Sequence, residues 1–236
     1  MSDREQALRQ HALRLGDDAL ILGQRLGEWC GHAPTLEIDL SLANVALDLI
    51  GQATLFLGIA AEGSGQDADD LAFRRDAYDF RNCLLVEQPN GDFAQTMARQ
   101  FLFSSWQRLH FEELAAGSDV RFAEIAAKAV KEVRYHVELA ADWVIRLGDG
   151  TEESHRRLLA GVNWMWRFVD ELFIETPHLR PAYDAQVAAV FAAAKLDVPA
   201  SQRPLTGGRQ GRHSEHLGHI LSEMQFLPRA YPDARW

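Results

Sequence analysis

One stripe constrains this chain more than any other feature. Phe122, Ala126, Ala129, Val133, His136, Ala140, Trp143 and Leu147 recur at three- and four-residue spacing without a break. That period places them on one face of a helix about seven turns long. Similar stripes run through most of the chain. Leu15, Ala19, Leu22, Leu26 and Trp29 form one, which "GHAP" (Gly31 to Pro34) interrupts before Thr35 can cap the next helix. In that next helix Leu36, Leu40, Ala43, Leu47, Ile50, Thr54 and Leu57 form one stripe, and Leu42, Ala46, Leu49, Ala53, Phe56 and Ala60 a second. Two apolar stripes predict a helix covered on two sides.

Turn formers separate the helices. "EGSGQDADD" (Glu62 to Asp70) reads as a polar loop and "VEQPNGD" (Val86 to Asp92) as a break. A third long helix is predicted over Phe93 to Leu114, and the stripe above is the fourth. Gly148 to Thr151 supplies a stop and a new cap. "NWMWRFVDELF" predicts a fifth helix and Pro181 to Lys195 a sixth. "RPLTGGRQGR" is a basic connector, followed by a terminal helix with Leu217, Ile220, Leu221, Met224 and Leu227 on one side. No strand-like alternation competes. The expectation is one all-α domain over residues 1–236: four long helices in a bundle, with extra C-terminal helices.

Composition excludes several function classes. A net charge of −10 opposes nucleic acid as the main partner. No apolar run approaches the roughly 20 residues of a membrane span, and the N-terminus has no apolar signal segment, so the expected compartment is the cytoplasm. Cys30 and Cys83 form no CxxC pair and read as reduced thiols. P-loop, GxGxxG and GxSxG motifs are absent.

Four long helices raise the question of a di-iron carboxylate centre, which needs hard oxygens plus imidazole, supplied as Glu and Glu-x-x-His on core-facing helices. The first helix offers only Asp17 and Asp18 near its start and Glu28 at its end. In the second, Asp48 precedes Leu49, where a carboxylate is expected, and Gln52 stands in the histidine position. The third has no acid between Gln88 and Phe111 except Asp92. The fourth keeps Glu132, but Tyr135 is three residues on and His136 comes one place late. Leucine cannot ligate a metal, and a neutral amide is a poor ligand. Lys131 and Arg134 beside Glu132 can neutralise it as an ion pair instead. No cofactor is therefore expected in this chain, with Leu49, Gln52, Glu132 and Tyr135 as degenerate ligand positions. His136, on the apolar stripe, reads as a hydrogen-bonded core histidine. The polar line Glu37, Ser41, Asn44, Asp48 and Gln52 predicts a partly buried network. His213, His216 and His219 in "RHSEHLGH" lack the form of a zinc motif and read as an exposed or partner-facing cluster. Trp164 and Trp166 read as packing material.

The stretches "LGDDALILGQRLGEWCGHAPTLEIDLSLANVALDLIGQA", "LLVEQPNGDFAQTMARQF", "KAVKEVRYH" and "TGGRQGRHSEHLGHILSEMQFLPRAYP" resemble, in the same order, the C subunit of the bacterial phenylacetyl-CoA ring-1,2-epoxidase. The resemblance implies a ferritin-like fold and a non-catalytic structural subunit in a multicomponent monooxygenase of aerobic phenylacetate breakdown. It implies a homologous catalytic partner subunit that carries the di-iron centre, a separate reductase, and a coenzyme A thioester near the interface. Such a partner needs an exposed apolar face, for which the helical pattern nominates Leu20, Ile21, Leu42 and Val45. Two rivals stand beside this reading. One is a self-sufficient di-metal oxidoreductase using Glu132, His136, Asp48 and Asp18. The other is a helical scaffold for an unrelated partner.

Overall fold

A computed structural model of the chain describes residues 2–200 and 203–232. In chain order the α-helices are α1 (Asp3–Gly27), α2 (Leu36–Ala61), α3 (Ala68–Phe73), α4 (Leu84–Glu87), α5 (Phe93–Ala115), α6 (Val120–Gly148), α7 (Glu152–Trp166), α8 (Arg180–Ala193), α9 (Glu215–Met224) and α10 (Phe226–Ala230). Among the described residues there is no strand. The chain folds as two compact units, Met1–Pro89 with Gly207–Trp236, and Asn90–Thr206.

The first unit is built on the antiparallel pair α1 and α2. Glycine sets their approach. A Cβ on Gly16 would lie 2.7 Å from the Leu57 side chain, and one on Gly23 would lie 3.0 Å from Ile50. The core between the two helices includes Ile21, Leu22, Leu26, Leu42, Val45, Leu49 and Phe56, each at most 1% exposed. Leu20, Ile21, Leu42 and Val45 are therefore not an outer face. They lie against the neighbouring elements of their own fold, because both apolar edges of α1 are used. What does face outward is the N-terminal part of the other stripe on α2: Leu36, Leu40 and Leu47 are 71%, 56% and 68% exposed, whereas its last member, Leu57, is 1% exposed. By length and composition α2 could cross a membrane, with a mean hydropathy of 1.6, yet 44% of that stretch is buried inside the fold.

Helix ends follow local chemistry. Thr35 precedes α2 in an extended conformation, but its side chain does not make the expected cap hydrogen bond. The second half of the expected Glu62–Asp70 loop instead starts α3, where Asp67 and Asp70 form a capping box. The polar line on α2 runs from exposed Glu37 and Asn44 to buried Gln52, so only its C-terminal end lies inside.

The second unit is built on the α5–α6 hairpin, closed by a short turn, with α7 and α8 packed on it. Asp92 caps α5, Asp119 caps α6, and Thr151 caps α7 in a capping box. The expected fifth helix stops at Trp166, and Val169–Phe173 continues as a tighter 3₁₀ turn. Helix α5 is buried almost all round, polar groups included: Arg99, Gln100, Ser104, Ser105 and Gln107 are at most 2% exposed. Arg99 donates to Asn90 Oδ1 at 2.5 Å, Ser104 to the Gln100 carbonyl at 2.7 Å, and Trp106 Nε1 to Thr176 Oγ1 at 3.1 Å. Trp166 is buried, whereas Trp164 is 39% exposed under the Arg167 guanidinium.

Candidate functional site

The positions where a di-metal centre would draw its ligands are occupied as follows. On α2, Leu49 is 0% and Gln52 2% exposed, and Asp48 is half-buried. On α6, His136 is 0% exposed, Glu132 is half-buried, and Tyr135 is 44% exposed. The helical turn explains the difference. Counting 100° per residue, His136 falls between Glu132 and the buried line of Ala129, Val133 and Ala140, while Tyr135 falls on the far side. Tyr135 is thus no inward substitute for a histidine, and the inward imidazole is His136. Lys131 is exposed. Arg134 reaches Glu112 on α5 at 3.0 Å. Among the described residues no three of His, Cys, Asp and Glu converge on a point that could hold a metal. A buried leucine and a neutral amide offer iron too little, so these residues do not fit a di-iron group.

Buried charge is concentrated elsewhere, in a cluster of the first unit. Asp17 and Asp18 lie mid-helix on α1, 0% and 1% exposed. Asp17 pairs with Arg75 through both carboxylate oxygens and also accepts from the Arg81 backbone N–H at 2.8 Å. Asp18 accepts from Arg209 at 2.7 Å and from the Cys83 N–H at 2.7 Å. Burial pushes the Asp18 carboxyl up, against the opposing pull of Arg209. Glu87, 0% exposed, accepts from Asn82 Nδ2 at 2.9 Å and from the Ser214 N–H at 2.6 Å, and lies 2.7 Å from His213 Nδ1. The other nitrogen of that ring, Nε2, stands 3.0 Å from the Phe80 carbonyl. Both ring nitrogens thus lie within hydrogen-bond distance of an oxygen, which fixes the ring between Glu87 and Phe80. Arg25 closes the cluster, donating twice to the Glu87 carbonyl at 2.9 and 3.2 Å.

The cluster fastens residues 207–214 onto α1 and the segment before α4. Gly208 makes this approach possible, since a Cβ there would collide with the Asn82 carbonyl. His213 is accordingly not part of an exposed histidine cluster. Its side chain is 4% exposed, while His216 is half-buried and His219 exposed. The acids Asp17, Asp18 and Glu87 are each engaged by a basic side chain (Arg75, Arg209 and His213) and by backbone or amide donors, which leaves them closed to a metal. Sequence reasoning placed Asp17 and Asp18 near a helix start and missed this pairing. The available signal was an acid pair inside the apolar run "LGDDALIL", with a cluster of basic residues in "RQGRH".

The arrangement defines a class: an all-α, ferritin-like protein, here with leucine and glutamine at positions 49 and 52. The sequence profile of the phenylacetic acid catabolic protein family matches residues 1–178 and 174–236, and the chain belongs to that family. It is also 48% identical, over 97% of its own length and 99% of the relative's, to the C subunit of the 1,2-phenylacetyl-CoA epoxidase of Escherichia coli (strain K12).

Proposed function

We propose that this chain is a non-catalytic structural subunit of a phenylacetyl-CoA epoxidase, acting in aerobic phenylacetate breakdown as one ferritin-like domain. Its partner is a homologous catalytic subunit that carries the di-iron centre. A separate reductase supplies electrons to the complex, and the coenzyme A thioester lies near the subunit interface. The chain acts in the cytoplasm, without nucleic acid or membrane. The observation that carries this reading is the identity of the buried side chains. Leu49 and Gln52 replace ligands, and the fully buried acids of the first unit are already paired with Arg75, Arg209 and His213. The outward leucines of α2 support a helix-docking role. Leu36, Leu40 and Leu47 follow four- and seven-residue steps, the period of a helix–helix seam.

The test is reconstitution with ferrous iron, alone and after co-expression with a catalytic subunit. Alone, the chain should retain far less than one iron per molecule. Co-expressed, it should purify as a complex whose iron and epoxidase activity follow the other subunit. Two tightly held irons in the isolated chain, or no complex at all, would refute the reading.

A further inference from the structure

The unit formed by α5 to α8 contains a cavity of about 490 Å³, within the range of small-molecule sites. Trp166 and Val187, 8% and 0% exposed, line its apolar side. Val198 and Pro199 contribute another wall. Beyond them the chain returns to the site, where the Leu205 N–H donates to the Arg167 carbonyl at 2.9 Å.

Two arginines line the same cavity, and they differ. Arg180 bridges the two acids: Nη1 donates to Asp170 at 2.6 Å and Nε to Asp184 at 2.7 Å. Those contacts occupy both acids of the lining as well. Arg167 lies over the Trp164 ring at 4.7 Å, and no carboxylate among the described residues pairs with it. The two arginines and two acids make the lining neutral overall, but both carboxylates sit on Arg180, so Arg167 is the lining guanidinium with which no described carboxylate pairs. Guanidinium recognises a carboxylate through two parallel hydrogen bonds, and the neighbouring apolar surface has room for the rest of a small acid.

The geometry points to a binding site for a small amphipathic carboxylate, an aryl or branched-alkyl acid whose carboxylate meets Arg167 while its body rests on Trp166, Val187 and Val198. The site is independent of the subunit role proposed above, because it uses neither the metal positions nor the α2 face.

Fluorine NMR on the intact chain tests it, with para-fluorohydrocinnamate as the anionic probe and para-fluorophenethylammonium as its cationic counterpart. The anion should broaden and saturate at submillimolar concentration, and the cation should not bind. Arg167→Gln should weaken the anion about tenfold or more. Ala188→Trp, at an exposed lining position, should abolish binding by filling the cavity, with an unchanged circular dichroism spectrum confirming the fold. Failure of the anion to saturate, equal binding of the two probes, or anion binding that survives either substitution overturns the proposal.

Discussion

Arg209 donates a hydrogen bond of 2.7 Å to Asp18 across 191 residues of sequence, and the two side chains are only 8% and 2% exposed. Breaking so sealed a pair from one side is costly, because the survivor keeps its charge and loses its partner. Asp18→Asn or Arg209→Gln alone should cost about 3–5 kcal/mol of unfolding free energy. The double variant should cost clearly less than the sum. Urea unfolding of the four proteins of this cycle measures the coupling, and strict additivity would show that the two charges do not depend on each other.

His11 supplies a pH dependence. Burial, with Arg14 and Arg209 close by, lowers its pKa from 6.5 to about 4. The folded chain thus keeps this ring neutral where the unfolded chain protonates it. The resulting stability is fully present above pH 6.5 and is lost as pH falls through about 4. The melting temperature of His11→Gln should fall less steeply than that of the parent between those two values. Parallel curves would assign the acid sensitivity to other groups.

Tyr183 is 0% exposed, and its hydroxyl meets no hydrogen-bond partner among the described residues. Burial accordingly pushes its phenol well above the usual range. The ring still packs edge-on against Phe173 at 4.9 Å. Tyr183→Phe keeps that contact and removes only the stranded hydroxyl. Stability should be unchanged or should rise by about 1 kcal/mol. A loss of that size in thermal unfolding would mean that the hydroxyl is satisfied in solution.

The two leucine sets on α2 separate folding from assembly. Leu47 is 68% exposed and Leu42 is 1% exposed. Leu47→Glu should alter the isolated chain's stability by no more than about 0.5 kcal/mol and weaken its complex with the catalytic subunit. Leu42→Glu should prevent stable folding, since it buries an unpaired charge. Calorimetric titration against the catalytic subunit reads the first effect, and intact binding by Leu47→Glu would clear that face of a docking role.

Helix ends were legible in the sequence because capping is local. Thr151 stands beside the backbone N–H it serves, and α7 begins there; α2 likewise begins directly after Thr35, although the Thr35 side chain makes no cap hydrogen bond. Facing was less legible. Both stripes of α2 are apolar, and periodicity says that Leu42 and Leu47 lie on different sides without saying which side has a neighbour. The fate of the acids was hidden for a further reason. Nothing near Asp17 and Asp18 in the chain announces Arg75 or Arg209, because an ion pair between distant segments leaves no periodic trace. His213 misled for the same reason, its spacing to His216 and His219 suggesting a company it does not keep.

The discontinuous first unit bears on how the chain is made. During synthesis α1 leaves the ribosome carrying Asp17 and Asp18 long before their counter-charges exist. Arg75 follows 58 residues after Asp17, and Arg209 comes only after the whole Asn90–Thr206 unit has been translated. The second-encoded unit can therefore mature first, while the first-encoded one waits for the last part of the message. A premature stop codon just ahead of Gly207 would remove little sequence, yet it would act as a lesion in the first helix.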